Sequence, residues 1–388
     1  MVAAMAASAW FWHPWALANL WRFASQGWIT TVDRALIYPN AAEIYAPLER
    51  VAGDVSATPL PRRTGLDRQF ENAVAIAGRA QSYSLLVWRD GAIVLERYWP
   101  GAGSDSRPDG ASMHKSITAL AVGAAVALGK IGSIDDPVEH YLTEWRGTPE
   151  GRVTVRNLLN MASGLSTFSQ TGGWLSESNR FLAGLMPEDL VLSRRLQATP
   201  GEAFTYRNLN TQLLGLIVER ATGRRYAEFV SDRIWQPIGA ADAQVWLDRP
   251  GGLARTYTAF LARAEDWLRL GLLIKDRGMF QGQPVLPPEW VDEMMDASPA
   301  NPNYGFQMWR AHPYQAVRYY NPALKGLSTA ASEPIDAADM VFFDGVGGQR
   351  VYVSRALDLV IVRLGVARPD WDDSALPNAV IRALTPSE

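Results

Sequence analysis

The sequence predicts an α/β fold in which both ends of the chain build one sheet and a mainly helical segment is inserted between them. Three observations predict it: a β-hairpin pattern early in the chain, helical patterns through the middle, and strand patterns that return only late. The early pattern runs from Ser82 to Trp99, two apolar, β-branched and aromatic runs around Asp90-Gly91, a dipeptide suited to a tight turn that needs positive φ. Next, Ile117, Leu120, Ala121, Ala124, Ala125 and Leu128 recur at helical spacing, which predicts a closely packed helix from Ser112 to Leu128 with Gly129 as its stop. Asp136-Pro137-Val138-Glu139 combines an N-cap, a first-turn proline and a capping-box acid, and predicts that another helix begins there. Further helices are expected at Val155–Met161, at Asn210–Thr222 with Asn210 as cap and Gly223 as terminator, at Tyr226–Trp235, at Glu265–Lys275 and at Pro288–Met295. Strands are expected at Tyr304–Trp309, Met340–Phe343, Gln349–Ser354 and Leu359–Leu364. An active site belongs at the seam between sheet and insertion.

This order divides the chain into a leader, anchor or packing segment (1–40), a sheet domain (41–110 and 255–388) and a mainly helical domain (111–254). With 388 residues, 48% hydrophobic and 20% charged, the chain is long enough for one large or two medium cores. A net charge of -3 supplies no basic field for a nucleic acid. The absence of cysteine excludes disulfides, Cys-ligated zinc, iron–sulfur clusters and thiol nucleophiles. Residues 1–21 carry no charged side chain, and their apolar run from Val2 to Trp12 is interrupted by His13-Pro14. That run is shorter than the roughly 20 residues of a membrane span and suits a signal core of roughly 7–15, yet it lacks the basic residues that precede one. Two readings stay open, an envelope signal or membrane anchor and a packed N-terminal helix, with a bacterial envelope or periplasmic location preferred to the cytoplasm.

The chemistry starts at Gly110-Ala111-Ser112-Met113-His114-Lys115, which puts a lysine one helical turn after a serine on the same face. Unpaired amides at a helix start favour a developing oxyanion, and a desolvated lysine loses its proton readily enough to accept one from the serine. A Ser-x-x-Lys pair arises by chance about 0.2 times in such a chain. Alone it describes a serine cap followed by an exposed lysine better than a catalytic pair. Two later segments add weight. Pro200 to Asn208 is turn-rich and delivers Tyr206, a possible proton relay, and Asn208, a possible substrate or lysine ligand, just before a helix. Asp344-Gly345-Val346-Gly347-Gly348-Gln349 lies between two strands, and its glycines, Gly348 included, permit close approach to the backbone. If that strand borders the cleft, the N–H of Gln349 is the second oxyanion donor beside that of Ser112. The plain alternatives are a core Tyr206 and an ordinary hairpin turn.

Together these segments resemble the serine hydrolases related to class C β-lactamases and D-alanyl-D-alanine carboxypeptidases, which include esterases and 6-aminohexanoate-dimer hydrolases. The resemblance rests on Ser112-Met113-His114-Lys115-Ser116, Ile134-Asp135-Asp136-Pro137-Val138 with Tyr141-Leu142, Thr154 to Leu159 with Ser163-Gly164-Leu165, Tyr206-Arg207-Asn208 with Leu213-Leu214-Gly215, and Gly345 to Gln349. It implies a β-lactamase/penicillin-binding-protein-like fold with an antiparallel sheet and an inserted all-helical domain. It also implies an acyl-enzyme mechanism without cofactor or metal, acting on a small-molecule ester or amide, with Ser112, Lys115 and Tyr206 as the catalytic set. Many relatives carry a lysine or histidine where Val346 stands, a cation that helps hold the substrate carboxylate in β-lactamases, so esters or amides are favoured over penicillins. The competing readings are a true β-lactamase or D,D-peptidase, and a binding module that keeps the fold without turnover. His114 lies two residues from Ser112 and does not face it on a helix, so it is not the base. The adjacent acids Asp135-Asp136, Glu265-Asp266 and Asp372-Asp373 read as caps or solvated groups. Trp174 and Trp309 are weak candidates for pocket walls.

Overall fold

The computed structural model describes residues 39–384 apart from 43–44, 55, 172–175, 184–186 and 324. The expectation for residues 1–21 and the one for Trp174 lie outside these described residues. The main sheet has six antiparallel strands in the order Ala92–Tyr98, Ser82–Arg89, Leu359–Gly365, Gln349–Ser354, Val341–Gly345 and Trp309–Arg310. Its first two strands come from early in the chain and the other four from late in it. Asp90 (φ 46°) and Gly91 (φ 80°) make the expected left-handed turn between the first pair.

Alternation along each strand divides the core into two layers. Leu86, Val351, Val353, Val360 and Val362 face the helix Ala264–Lys275, whereas Leu85, Val87, Tyr352 and Ile361 face the helices Glu71–Arg79 and Ala375–Leu384. Because both faces are covered, the strand Leu359–Gly365 is buried along its whole length. On the first face the approach is closest at Gly271, where a Cβ would lie 2.5 Å from Val360. A second sheet joins Leu48–Val51, Ala243–Trp246 and Phe260–Leu261.

In the helical part, His114–Ala127 follows a 3-10 turn over Ala111–Met113 and is buried on nearly every side, as its alanine-rich sequence allows. It packs against Asn208–Thr222, which ends at Gly223 in the left-handed region (φ 66°).

Several expectations are corrected. No α-helix starts at Asp136: only a 3-10 turn, Val138–His140, forms there. The Asp136 carboxylate accepts from the Ser133 N–H (2.9 Å) and the Tyr141 hydroxyl, while Glu139 accepts from the Gly147 N–H (2.9 Å). These acids tie loops together instead of capping a helix. Asn210 is not a cap either, because the helix begins at Asn208 and the Asn210 Oδ1 accepts from the Ser163 hydroxyl at 2.7 Å. The helix from Val155 stops at Leu159, and the one from Tyr226 passes into a π-turn over Ser231–Trp235. Of Tyr304–Trp309 only Trp309 enters the sheet, since Gln307 turns the chain with φ 55°.

Candidate active site

The turn before Ser112 is held from three sides. Asp109 is buried; its carboxylate accepts from the Ala111 N–H at 2.7 Å and from the Tyr45 hydroxyl at 2.6 Å. Burial pushes the Asp109 carboxyl up to about 6, against those two bonds. Ala111 is left-handed (φ 49°), a conformation that costs an alanine about 1 kcal/mol or more and that the Asp109 bond helps to fix. A Cβ on Gly110 would lie 2.4 Å from the Trp267 ring, and one on Gly345 would lie 2.4 Å from the Gly110 carbonyl. The turn is therefore clamped between Trp267 and the end of the strand Val341–Gly345.

That clamp leaves Ser112 partly exposed at the start of the helix and Lys115 beneath it, only 1% exposed. The Lys115 Nζ donates to Ser112 Oγ at 2.7 Å and to the Tyr257 carbonyl at 3.0 Å, and it sits 5.0 Å from the centre of the Tyr206 ring. Burial pulls the amine down to about 7, while the negative charge of Asp344 acts the other way. Near neutral pH, a large fraction of it is uncharged and able to take a proton.

Tyr206 stands beside the same pair: the centre of its ring is 5.0 Å from Lys115 Nζ, and the Ser112 hydroxyl acts to lower the pKa of its phenol. Its ring lies against Trp309 (5.8 Å between centres), Tyr304 (6.1 Å) and Tyr320 (5.2 Å), and Asn321 Nδ2 donates to its carbonyl at 3.3 Å. Burial, with Asp344 and Tyr320, holds the phenol well above its ordinary range, so it remains a proton carrier. Trp309 is only 2% exposed and packs against the Tyr206 ring.

The other expected residues divide. Asn208 opens the helix Asn208–Thr222 and shares a groove of about 330 Å3 with Tyr206. The Gln349 side chain is committed elsewhere: its Nε2 donates to the Gly365 carbonyl (2.8 Å) and its Oε1 accepts from the Gly365 N–H (2.9 Å). Only its main chain is left to serve a substrate. Gly348 packs under Trp371, where a Cβ would meet the ring at 2.5 Å. Val346 lines a second cavity of about 360 Å3 with Tyr320, Gly347 and Trp371. His114 is fully buried between the Thr258 carbonyl (2.9 Å) and the Tyr226 hydroxyl (3.0 Å), and burial lowers its pKa to about 3. It is a neutral packing residue, as its spacing predicts. Among the described residues no group of acids and histidines is arranged to hold a metal ion.

Sequence reasoning missed the part of Tyr257 and a buried ring of four charges. Tyr257 acts through its carbonyl, which any residue type possesses. Asp344 and Asp373 form a buried ring with Arg318 and Arg350, with contacts of 2.5 Å (Arg350 to Asp344) and 2.7 Å (Asp373 to each arginine). Asp373 is thus a buried partner, not a solvated acid. Asp266, fully buried against Arg263 at 3.0 Å, is a cap as expected: its carboxylate accepts from the Arg263 N–H (3.3 Å) at the start of the helix Ala264–Lys275.

Comparison with known proteins identifies the family and the fold. The Beta-lactamase family profile matches residues 66–383. The chain belongs to the Beta-lactamase family. It is a β-lactamase-related hydrolase with a β-lactamase/penicillin-binding-protein-like fold. It is 29% identical over 292 residues to the 6-aminohexanoate-dimer hydrolase of Paenarthrobacter ureafaciens, covering 71% of this chain and 70% of that one. It is 32% identical over 193 residues to esterase EstB of Burkholderia gladioli, covering 45% and 47%. Among solved structures, one from Bacillus anthracis, provisionally assigned as a 6-aminohexanoate-dimer hydrolase, superposes with a TM-score of 0.71 at 20% identity over 91% and 92% of the two chains. A penicillin-binding-protein homologue from Caulobacter crescentus superposes with a TM-score of 0.60 at 14% identity over 84% and 99%. Among the described residues no helix is long and apolar enough to cross a membrane.

Proposed function

We propose that the protein cleaves an ester or amide bond of a small molecule through a covalent acyl-enzyme on Ser112. The observation that carries this reading is the 2.7 Å contact between Ser112 Oγ and a lysine amine lowered to about 7 by burial. Lys115 takes the Ser112 proton as Oγ attacks the substrate carbonyl. The oxyanion is held by the N–H of Ser112 and by a main-chain N–H of the 345–349 segment, Gln349 in the sequence reading. Close packing of Gly345 on Gly110 brings that segment to the serine. Tyr206, whose ring lies 5.0 Å from Lys115 Nζ, passes a proton to the leaving group, and water then releases the acyl group with Tyr206 or Lys115 as base. On this reading the helical segment 111–254 carries Ser112, Lys115 and Tyr206, and the segments 41–110 and 255–388 close the cleft.

The relatives' names, a 6-aminohexanoate-dimer hydrolase and an esterase, support this substrate class. Val346, where many relatives place a cation, favours such substrates over penicillins. The test is product release from p-nitrophenyl acetate, a penicillin and a panel of short amides. Wild type is expected to turn over the ester or an amide, with rates reduced at least about 10³-fold in Ser112→Ala and Lys115→Ala. Near-normal turnover in Lys115→Ala would contradict the assignment.

A further inference from the structure

The groove beside Tyr206 has an uneven charge. Its polar lining includes Ser166, Thr167, Gln170, Asn208 and Asn321, all neutral, and its one charged group among the described residues is Arg207. Arg207 is anchored from behind by one Nη, which donates to the Leu165 carbonyl. Its Nε is buried without an acceptor among the described residues. Burial moves its pKa downward with no neighbouring acid acting against it. The nearby carboxylate of Glu177 is already taken by Arg194 at 2.8 Å. A half-buried guanidinium lacking a counter-ion is costly, and its planar fork matches a carboxylate. The second cavity, which Val346 lines with Leu327, Pro369 and Trp371, also holds a guanidinium, Arg368, but that one is already paired with Asp370 at 2.9 Å.

We infer that Arg207 is a substrate anchor, and that the preferred ester or amide carries a free carboxylate, joined by a short chain to the reacting carbonyl or to the leaving group, which lies in the groove between Arg207 and Asn208. This rests on the acyl-enzyme reading above and adds the class of substrate. Tyr206 both stands 5.0 Å from Lys115 Nζ and lines the groove, so the groove begins beside the reacting centre.

The experiment compares kcat/KM for mono-p-nitrophenyl adipate with that for its methyl ester, and for 4-acetoxybenzoate with that for its methyl ester, in wild type, Arg207→Gln and Arg207→Lys. Each pair shares its reacting centre, so the ratio cancels general damage to catalysis. The carboxylate ratio of one pair is expected to fall at least about ten-fold in Arg207→Gln and to recover in part in Arg207→Lys. The pair that responds identifies the side of the scissile bond that the groove holds. Calorimetric titration with adipate needs no turnover, and Arg207→Gln is expected to weaken its binding at least about ten-fold. Inert esters with Arg207-dependent adipate binding would sink the acyl-enzyme reading and leave the anchor standing. Ester turnover with ratios and adipate binding indifferent to Arg207, or a wild type that favours the neutral esters and does not bind adipate, overturns the anchor.

Discussion

Lys115 combines two properties that are rarely found together, a buried amine and a serine oxygen at 2.7 Å. Its proton affinity sets the pH dependence of acylation. With the amine near 7, the uncharged fraction grows as pH rises, so kcat/KM is expected to climb with an apparent pKa near 7 and then level off, with no fall from Tyr206 until well above pH 10. A profile governed by a group near 10.5, the usual lysine value, would show that Lys115 is charged at neutral pH and not the base. The same shift has a thermodynamic side. Between about 7 and 10.5 the unfolded chain binds a proton here that the folded chain does not, so this group's burden on stability is full below pH 7 and fades as pH rises to 10.5. Ser112, Lys115 and Tyr206 were legible in the sequence because their side-chain chemistry and local spacing are both unusual. Tyr257 and Asp344 were not, since one contributes a carbonyl and the other meets Lys115 only through the tertiary fold.

At the scale of elements, the hairpin from Val341–Gly345 to Gln349–Ser354 is the part that couples sheet to nucleophile. Its glycines announced a close approach, and the groups that approach are the Gly110 carbonyl at Gly345 and the Trp371 ring at Gly348. Gly347 O accepts from the Arg368 N–H (3.0 Å) and an Arg363 Nη (3.3 Å), which fixes the turn from outside. Gly345→Ala places its Cβ against backbone that cannot swing away, so the strand end must separate from the Ser112 turn. Its kcat is expected to fall at least about ten-fold, because a misplacement of 1 Å costs far more in rate than in folding. Kinetics alongside thermal unfolding check this: unchanged kcat would mean that the segment does not serve the oxyanion. Elements with strong local patterns were read well, among them Gln349–Ser354 and Pro288–Met295. The helices Glu71–Arg79 and Ala375–Leu384 escaped although each has an apolar face, Phe70, Ala73 and Ala77 leading into and along the first and Leu376, Ala379 and Val380 along the second: the first has no capping side chain and a face of small residues, and the second carries Pro377 in its first turn.

Over the whole molecule, the sheet gathered from both chain ends places a buried four-charge ring directly behind the site. Arg318, Arg350, Asp344 and Asp373 compensate one another, and Arg318 also lies 4.2 Å from the Trp309 ring and 4.8 Å from the Tyr320 ring that support Tyr206. Asp373→Asn leaves two buried arginines facing one carboxylate and is expected to destabilise the fold by about 3–5 kcal/mol in urea unfolding. Breaking the more exposed Arg156–Asp135 pair (2.6 Å) with Asp135→Asn is expected to change stability by no more than about 1 kcal/mol. Equal effects would mean that the ring is not the structural support of the site. The β–α–β order of the chain revealed the sheet's two-ended construction, but the ring joins residues up to 55 positions apart and no local pattern announces it. The central claim is a covalent intermediate on Ser112, and its most direct test is intact-mass spectrometry with peptide mapping after exposure to a fluorophosphonate and to the substrates that turn over. A single adduct is expected on the peptide containing Ser112, absent in Ser112→Ala and slow to form in Lys115→Ala. Folded wild-type protein that turns over substrate without any adduct at Ser112 would contradict that claim.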